Sequence, residues 1–394
     1  MTGFRKLWDE LVPIGRDAGT GGYLRYAWSA AELACRAWFA DQAAARGMPV
    51  RDDGNGNLFA WWGDEAAGGA VLTGSHFDSV PHGGAYDGPL GIAAAFLAVD
   101  ELRDAGVVPR RPLAVAAFVE EEGARFGVPC LGSRLLTGAL APAAAAALTD
   151  RAGVALADVL GGPPAGARPE LLARVGAFVE LHIEQGRTLG DAPVGVGAGI
   201  WPHGRWRLEI TGAADHAGTT LMADRRDPML TFAFTVLAAN KEARLRGARA
   251  TVGRVEAVPN ATNAVAGQVR GWLDARARDD EALSALVEAV RGRVAERAGR
   301  DGTAGTLIAE SVSPAVAFDG ELVARCGRLL GGAPVVATAA GHDAGVLAAH
   351  VPAVMLFVRN PSGVSHAPAE EATDEDVAAG IRALAAVLED LLCR

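Results

Sequence analysis

An imidazole and two carboxylates crowd one short stretch of the chain: Gly74-Ser75-His76-Phe77-Asp78 is followed closely by Gly83-Gly84-Ala85-Tyr86-Asp87-Gly88. His76 and Asp78 lie two residues apart at the end of an expected strand. Alternation therefore puts both side chains on one face, where a carboxylate can orient or polarise a metal-binding imidazole. Asp87 sits in a glycine-rich turn, where backbone can come close and one carboxylate can reach two cations. A lone His near an Asp is more often a satisfied polar pair, but two polar clusters in so short a span at a strand end point to chemistry.

A second cluster, Glu120-Glu121-Glu122-Gly123, follows directly on the apolar run LAVAAFV. Three adjacent carboxylates repel one another and cost stability unless cations or a proton share them. Alone they would read as a solvated acidic turn. Beside His76 and Asp87 they read as one carboxylate for a metal and a neighbour free to act as general base. Glu180-Leu181-His182-Ile183-Glu184-Gln185-Gly186 closes another apolar strand, with Glu180, His182 and Glu184 on one face by alternation, a pattern that a half-exposed strand edge explains as well. Ser365-His366-Ala367-Pro368 adds a further candidate ligand after VMLFV, and Gly341-His342-Asp343 a polar knot. Most of the eight histidines thus stand at strand ends beside glycine or carboxylate, which packing does not explain.

The elements that must position these residues are legible in outline. Apolar residues recur at helical spacing over 29–47 after a Ser cap and stop at a glycine. The runs NLFAWWG, AVLTGSH and LAVAAFVEE are short strands separated by turns or by a helix over 91–102, the rhythm of an α/β domain. Residues 139–148 are alanine-rich and read as a helix. From about Arg207 to Phe318 the order becomes strand, helix (228–246), strand, strand, helix (280–298), strand, which is the βαββαβ of a ferredoxin-like sandwich. VPAVMLFV is again a buried strand and 371–392 a closing helix. The expected division is therefore 1–206 for the first part of an α/β catalytic domain, 207–318 for an inserted α+β lid, and 319–394 for the return.

Composition narrows the function further. Half of the 394 residues are hydrophobic and 21% are charged, as in globular proteins with a large core. The formal net charge is -10, from 37 basic against 47 acidic residues, with no Lys/Arg block to neutralise a row of phosphates, so nucleic acid is not an expected partner. Cys35, Cys130, Cys326 and Cys393 are scattered without a CxxC pair, as reduced thiols are. The N-terminal segment lacks a secretory apolar core and no run reaches membrane length, so the expectation is a cytoplasmic enzyme with no membrane partner.

Seven motifs in order, GSHFDSVPHGGAYDGPLG, EEEGARFG, ELHIEQG, DHAGTTLMADRRD, NATNAV, GHDA and GVSHAPAE, cover nearly the whole chain. Together they resemble the bimetallic amidohydrolases that include N-carbamoyl-L-amino acid hydrolase, allantoate amidohydrolase and β-ureidopropionase, relatives of the aminoacylase and carboxypeptidase metallopeptidases. The resemblance implies a mixed-sheet, zinc-peptidase-like catalytic domain with an inserted ferredoxin-like lid that also dimerises. It implies two divalent metal ions per chain, zinc or manganese with cobalt or nickel as alternatives. His76, Asp87 and His182 would hold one; Asp87, Glu122 and His366 would hold the other. Glu121 matches the general base and Asp78 the carboxylate that orients His76. His216 matches an oxyanion-stabilising histidine that serves the partner subunit of a homodimer. Gln185, Asn263 and Arg276 match substrate contacts, Arg276 forking onto a substrate carboxylate.

The implied reaction is hydrolysis of the C–N bond of a small ureido acid, allantoate or an N-carbamoyl-L-amino acid, with release of ammonia and carbon dioxide. An aminoacylase or dipeptidase on the same scaffold is the alternative within enzymes, and a catalytically silent metal-binding module the alternative outside them. The chain departs from the family pattern at His203, where glutamine is common, at Leu221 and Ala266, each in place of proline, and at Thr338-Ala339, in place of Ser-Gly. These positions bear on the substrate pocket and leave the implied ligand set intact.

Overall fold

The computed structural model describes residues 2–394, which fall into two compact units, one formed by the chain up to Gly199 together with Ala317–Arg394, the other by Ile200–Val316. The second unit begins before Arg207, because the strand His203–Thr211 starts earlier than its most apolar stretch suggests.

The first unit is organised by a mixed sheet. Its centre consists of Leu113–Phe118, Ala70–His76, Val175–Ile183 and Ala353–Val358, side by side and all parallel. Leu58–Trp62 and Val194–Ile200 flank this centre antiparallel, on opposite sides. Strands covered on both faces read as unbroken apolar runs, and these four are buried along almost their whole length. Covering helices include Ala30–Ala45, capped by Ser29 accepting from the Glu32 amide at 3.3 Å, and Pro89–Asp104, which is buried over most of its surface. Asp374–Cys393, capped by Thr373, packs against Pro89–Asp104 and against the sheet. The core is continuous from Phe4 and Trp8 through Phe39, Phe96 and Val115 to Leu384 and Leu388.

The helix expected over 139–148 shrinks to Pro142–Ala146. Gly138 turns left-handed at φ 80°, ending the helix Leu131–Thr137, and proline disfavours helical backbone in the residue before it. The alanines before Pro142 therefore cannot join those after it. Thr2–Leu11, a segment without a cap or turn signal in sequence, is a helix that buries Phe4, Leu7, Trp8 and Leu11.

The second unit carries a four-stranded antiparallel sheet in the order Ala304–Ser313, His203–Thr211, Gln268–Arg276, Arg249–Val258. With the helices Pro228–Leu245 and Asp280–Asp301 between its strands, this is the ferredoxin-like arrangement. Its own core joins Trp206, Leu208, Phe232, Leu273, Leu286 and Val290. A two-residue ladder, Asp215–His216 with Ala264–Val265, stands apart from the sheet. Among the described residues no helix is long and apolar enough to cross a membrane.

Candidate active site

The four parallel strands end together, and the polar residues sit where they end. His76 is the last residue of its strand, Glu120–Glu122 follow Phe118, His182 is the penultimate residue of its strand, and His366 lies in the loop after Val358. Ligands in α/β sheets gather at the carboxyl ends of strands because the connecting loops converge there. Asp87 reaches the same place through the turn ahead of Pro89–Asp104. Gly88 has φ 86°, and a Cβ there would lie 2.5 Å from the His76 ring, so only glycine lets this turn press on the imidazole.

The two oxygens of Asp87 look in different directions. Oδ1 lies 3.2 Å from His182 Nε2 and 3.6 Å from His76 Nε2; Oδ2 lies 3.2 Å from His366 Nε2, which is itself 3.4 Å from Glu122 Oε1. His76–Asp87–His182 and Asp87–Glu122–His366 thus form two groups able to hold a metal ion, with Asp87 common to both.

The protons favour that reading. His76 Nδ1 is 2.9 Å from the Asp78 carbonyl and His182 Nδ1 is 2.8 Å from the Ile183 carbonyl. A carbonyl only accepts, so each Nδ1 carries its hydrogen and each neutral ring turns an Nε2 lone pair toward Asp87. Both Nε2 atoms and Glu122 Oε1 are buried without a hydrogen-bond partner. Lone pairs facing lone pairs at this spacing call for positive charge between them, and the donor set fits a divalent cation.

The same demand for positive charge shows in the titration of these groups, where a proton competes for the place a cation would take. Burial opposes a charge on His76, yet Glu121, Asp87 and Asp78 outweigh it and hold its pKa well above the ordinary range. Burial likewise opposes ionisation of Asp87, but the facing imidazoles of His182, His366 and His76 draw its pKa well below the usual carboxylate value. Glu122 is pushed up to about 7 by burial and by the Asp87 charge. Burial raises Glu121 further, with Glu122, Asp343 and Asp78 adding to it and His76 opposing.

Several residues take positions that the sequence did not disclose. The Asp78 carboxylate is not hydrogen-bonded to His76: its nearer oxygen is 3.7 Å from Nδ1, and the orienting atom is its main-chain carbonyl. The carboxylate instead accepts from the amides of Glu121 and Glu122 at 3.1 and 3.0 Å, fixing the acidic turn from below. Glu120 adopts φ 54°, a left-handed backbone unusual for a side-chain-bearing residue, and its carboxylate accepts from the amides of Arg125 and Phe126 at 2.8 and 2.6 Å. The acidic triplet is therefore divided: Glu120 closes the loop, Glu122 joins His366, and Glu121 belongs to neither ligand group. Glu180 is spent on Ser75 and the Ala344 amide, and Glu184 on the amides of Thr188 and Leu189.

Glu370 was missed. Its Oε1 accepts from the amides of Tyr86 and Asp87 at 2.8 and 3.0 Å, anchoring the turn that presents Asp87, and a Cβ on Gly84 would collide with it. In sequence it is indistinguishable from the acidic residues that precede a helix, and only the glycine pair at 83–84 hints at a close neighbour.

Gln185 donates to Asp87 Oδ2 at 2.8 Å and lies 3.3 Å from His366 Nε2. In the second unit, His216 is exposed, and its Nδ1 accepts from the amides of Gly218 and Thr219 at 2.9 and 3.1 Å. The neutral ring must then carry its hydrogen on Nε2, leaving a donor directed outward. The Asn263 carbonyl accepts from the Ala217 amide, next to the ladder that pairs Ala264 with His216. Arg276 is engaged by Asp274 through Nε at 2.9 Å and Nη2 at 3.2 Å, and is the cross-strand partner of His203. The structure thus brings together His76, Asp78, Asp87, Glu121, Glu122, His182, Gln185 and His366 in the first unit, and carries His216, Asn263 and Arg276 on the second.

Two carboxylate-bridged ligand groups at strand ends are a centre that could hold two metal ions, and the model of Peptidase family M20/M25/M40 matches residues 72–390; the chain belongs to that family and is an amidohydrolase, an enzyme that cleaves C–N bonds. It is 36% identical to the N-carbamoyl-L-amino acid amidohydrolase of Geobacillus stearothermophilus over 96% of each chain. It is 32% identical to the allantoate amidohydrolase of Escherichia coli (strain K12) over 99% of each. The crystal structure of AtUAH in complex with (S)-hydroxyglycine superposes with a TM-score of 0.88 at 28% identity, covering 100% of this chain and 98% of that one.

Proposed function

We propose that the enzyme hydrolyses a small ureido acid, an N-carbamoyl-L-amino acid or allantoate, at a pair of divalent ions, releasing ammonia and carbon dioxide. The observation that carries this reading is the two-sided Asp87, with Glu121 3.8 Å from His76 and a member of neither ligand group. The names of the two relatives above supply the substrate class. His76, Asp87 and His182 would hold one ion and Asp87, Glu122 and His366 the other; imidazole with carboxylate suits zinc or manganese, and cobalt or nickel as substitutes. Bound there, such ions supply Lewis acidity toward the scissile carbonyl and toward water.

The remaining work falls to the chain. Glu121 accepts the proton of the attacking water and returns it to the departing nitrogen. His216 offers Nε2–H to the oxyanion, Arg276 exchanges its Asp274 partner for the substrate carboxylate, and the amides of Gln185 and Asn263 match the donors and acceptors of a planar urea. Free thiols at all four cysteines suit a reducing compartment, the cytoplasm.

Steady-state kcat/KM for allantoate, N-carbamoyl-L-amino acids, their D-enantiomers, N-acetyl-L-amino acids and dipeptides tests the substrate. The ureido compounds should lead, because a site built for a urea leaves its own polar groups unpaired with an acyl analogue. An acetyl or peptide substrate ahead by about tenfold, roughly 1.4 kcal/mol in the transition state, would make the enzyme an aminoacylase or dipeptidase instead.

The same reading makes the enzyme a homodimer joined through the second unit, with His216 serving the partner's site. In support, the helix Pro228–Leu245 turns Leu230, Leu237 and Leu245 to solvent at 48%, 72% and 69% exposure, and Arg249–Val258 stands at the edge of its sheet. Mixing inactive His216→Ala with inactive Glu121→Gln should restore about a quarter of the native activity, since half of the exchanged dimers gain one complete site. No recovery after verified exchange, or an active monomer in light scattering, contradicts it.

A further inference from the structure

The two oxygens of Glu121 face different neighbours. Oε2 lies 3.8 Å from His76 Nε2, on the side of the ligand groups. Oε1 lies on the other side, 3.6 Å from the Cys130 thiol and 4.0 Å from Nδ1 of His342. His342 is 3% exposed, and neither of its ring nitrogens has a hydrogen-bond partner. Burying an imidazole in that condition is unfavourable, because each ring nitrogen has given up water without a replacement.

The ring is also held in place. Its centroid is 4.5 Å from that of His182 and 6.4 Å from that of Phe357. Its backbone leads into Asp343–Leu347, where Asp343 accepts from Ser133 Oγ at 2.5 Å and the Ala344 amide donates to Glu180 at 3.0 Å. A buried, partnerless side chain locked beside a general base, about one ångström beyond hydrogen-bond reach, fits a contact that tightens only when substrate is bound.

We infer that His342 is a positioning residue for Glu121: it donates Nδ1–H to Oε1 during turnover, so that Oε2 is left as the oxygen that takes the proton from water. The alternative neutral tautomer would set a nitrogen lone pair against a carboxylate oxygen, which leaves Nδ1–H as the arrangement Glu121 can accept. The thiol of Cys130 is a weaker donor to the same oxygen and steadies it between turnovers. This rests on Glu121 being the base.

The test uses the metal-loaded enzyme with an N-carbamoyl-L-amino acid, reading kcat, KM and bound metal together. His342→Leu should lower kcat by about 10- to 100-fold with KM and metal content unchanged. His342→Asn, whose amide can place a donor near the position of Nδ1, should recover most of that loss. His342→Gln, which places it near Nε2, should not, and this contrast stands even where the leucine variant fails to fold. In a Glu121→Gln background, removing His342 should cost nothing more, because its effect passes through the carboxylate. Loss of metal, a rise in KM alone, equal effects of Asn and Gln, or full additivity in the double variant would each overturn the inference while leaving Glu121 as base. A Glu121→Gln enzyme with native kcat would overturn both.

Discussion

Replacing Glu121 by glutamine is expected to lower kcat by about 10²- to 10⁴-fold, the range that a positioned general acid or base contributes, while the fold and both metals persist. The expectation follows from the division of the acidic turn. Glu121 is 5% exposed and lies outside both ligand groups, whereas its neighbour Glu122 joins one of them. Glutamine keeps the volume and one oxygen but cannot take a proton, and the turn itself is held by Asp78 through main-chain amides that the substitution leaves in place. Single-turnover kinetics, elemental analysis and circular dichroism on one preparation make the comparison. A variant that loses metal yet turns over at a near-native rate would mean that the roles of Glu121 and Glu122 are exchanged.

Asp87→Ala should do the opposite, emptying the centre. Each oxygen of Asp87 faces a different ligand group, so the substitution removes one donor from both at once. Affinity for divalent ions should fall by more than the roughly 10- to 100-fold typical of an outer-sphere partner. Glu122→Ala should weaken one ion only. The readout need not be activity. Native enzyme titrated with zinc or manganese should gain thermal stability, about 4 kcal/mol at a thousand times Kd, and Asp87→Ala should gain little of it. Two ions retained by the alanine variant would dismantle the shared-ligand reading.

Convergence of His76, Asp87, Glu122, His182 and His366 was legible because each stands where an apolar run meets glycine or carboxylate, and buried parallel strands must end side by side. The partners behind them were less so. Glu370 works from a distant segment and resembles any acidic residue ahead of a helix. Asp78 carries two functions on one residue, and alternation reveals the direction of its side chain but not that its carbonyl does the orienting. Ala139–Leu148 reads as a helix by composition, yet Pro142 divides it. Gly341-His342-Asp343 was visible as a polar knot, but that the imidazole is buried without a partner needs the packing of Phe357 and His182 around it.

The strand Ala353–Val358 lies between Val175–Ile183 and Val194–Ile200 and pairs with both. A ribosome adding about 5–20 residues per second needs roughly 10–30 s to travel from Ile183 to Ala353. During that interval the nascent chain holds an apolar strand with one open edge, the form most apt to pair with another molecule. The inserted unit, with a core of its own, can fold while the sheet waits. Completion of the sheet and arrival of His366 are then nearly one event, so the centre is assembled only after Ala353–Val358 and the loop behind it have been synthesised.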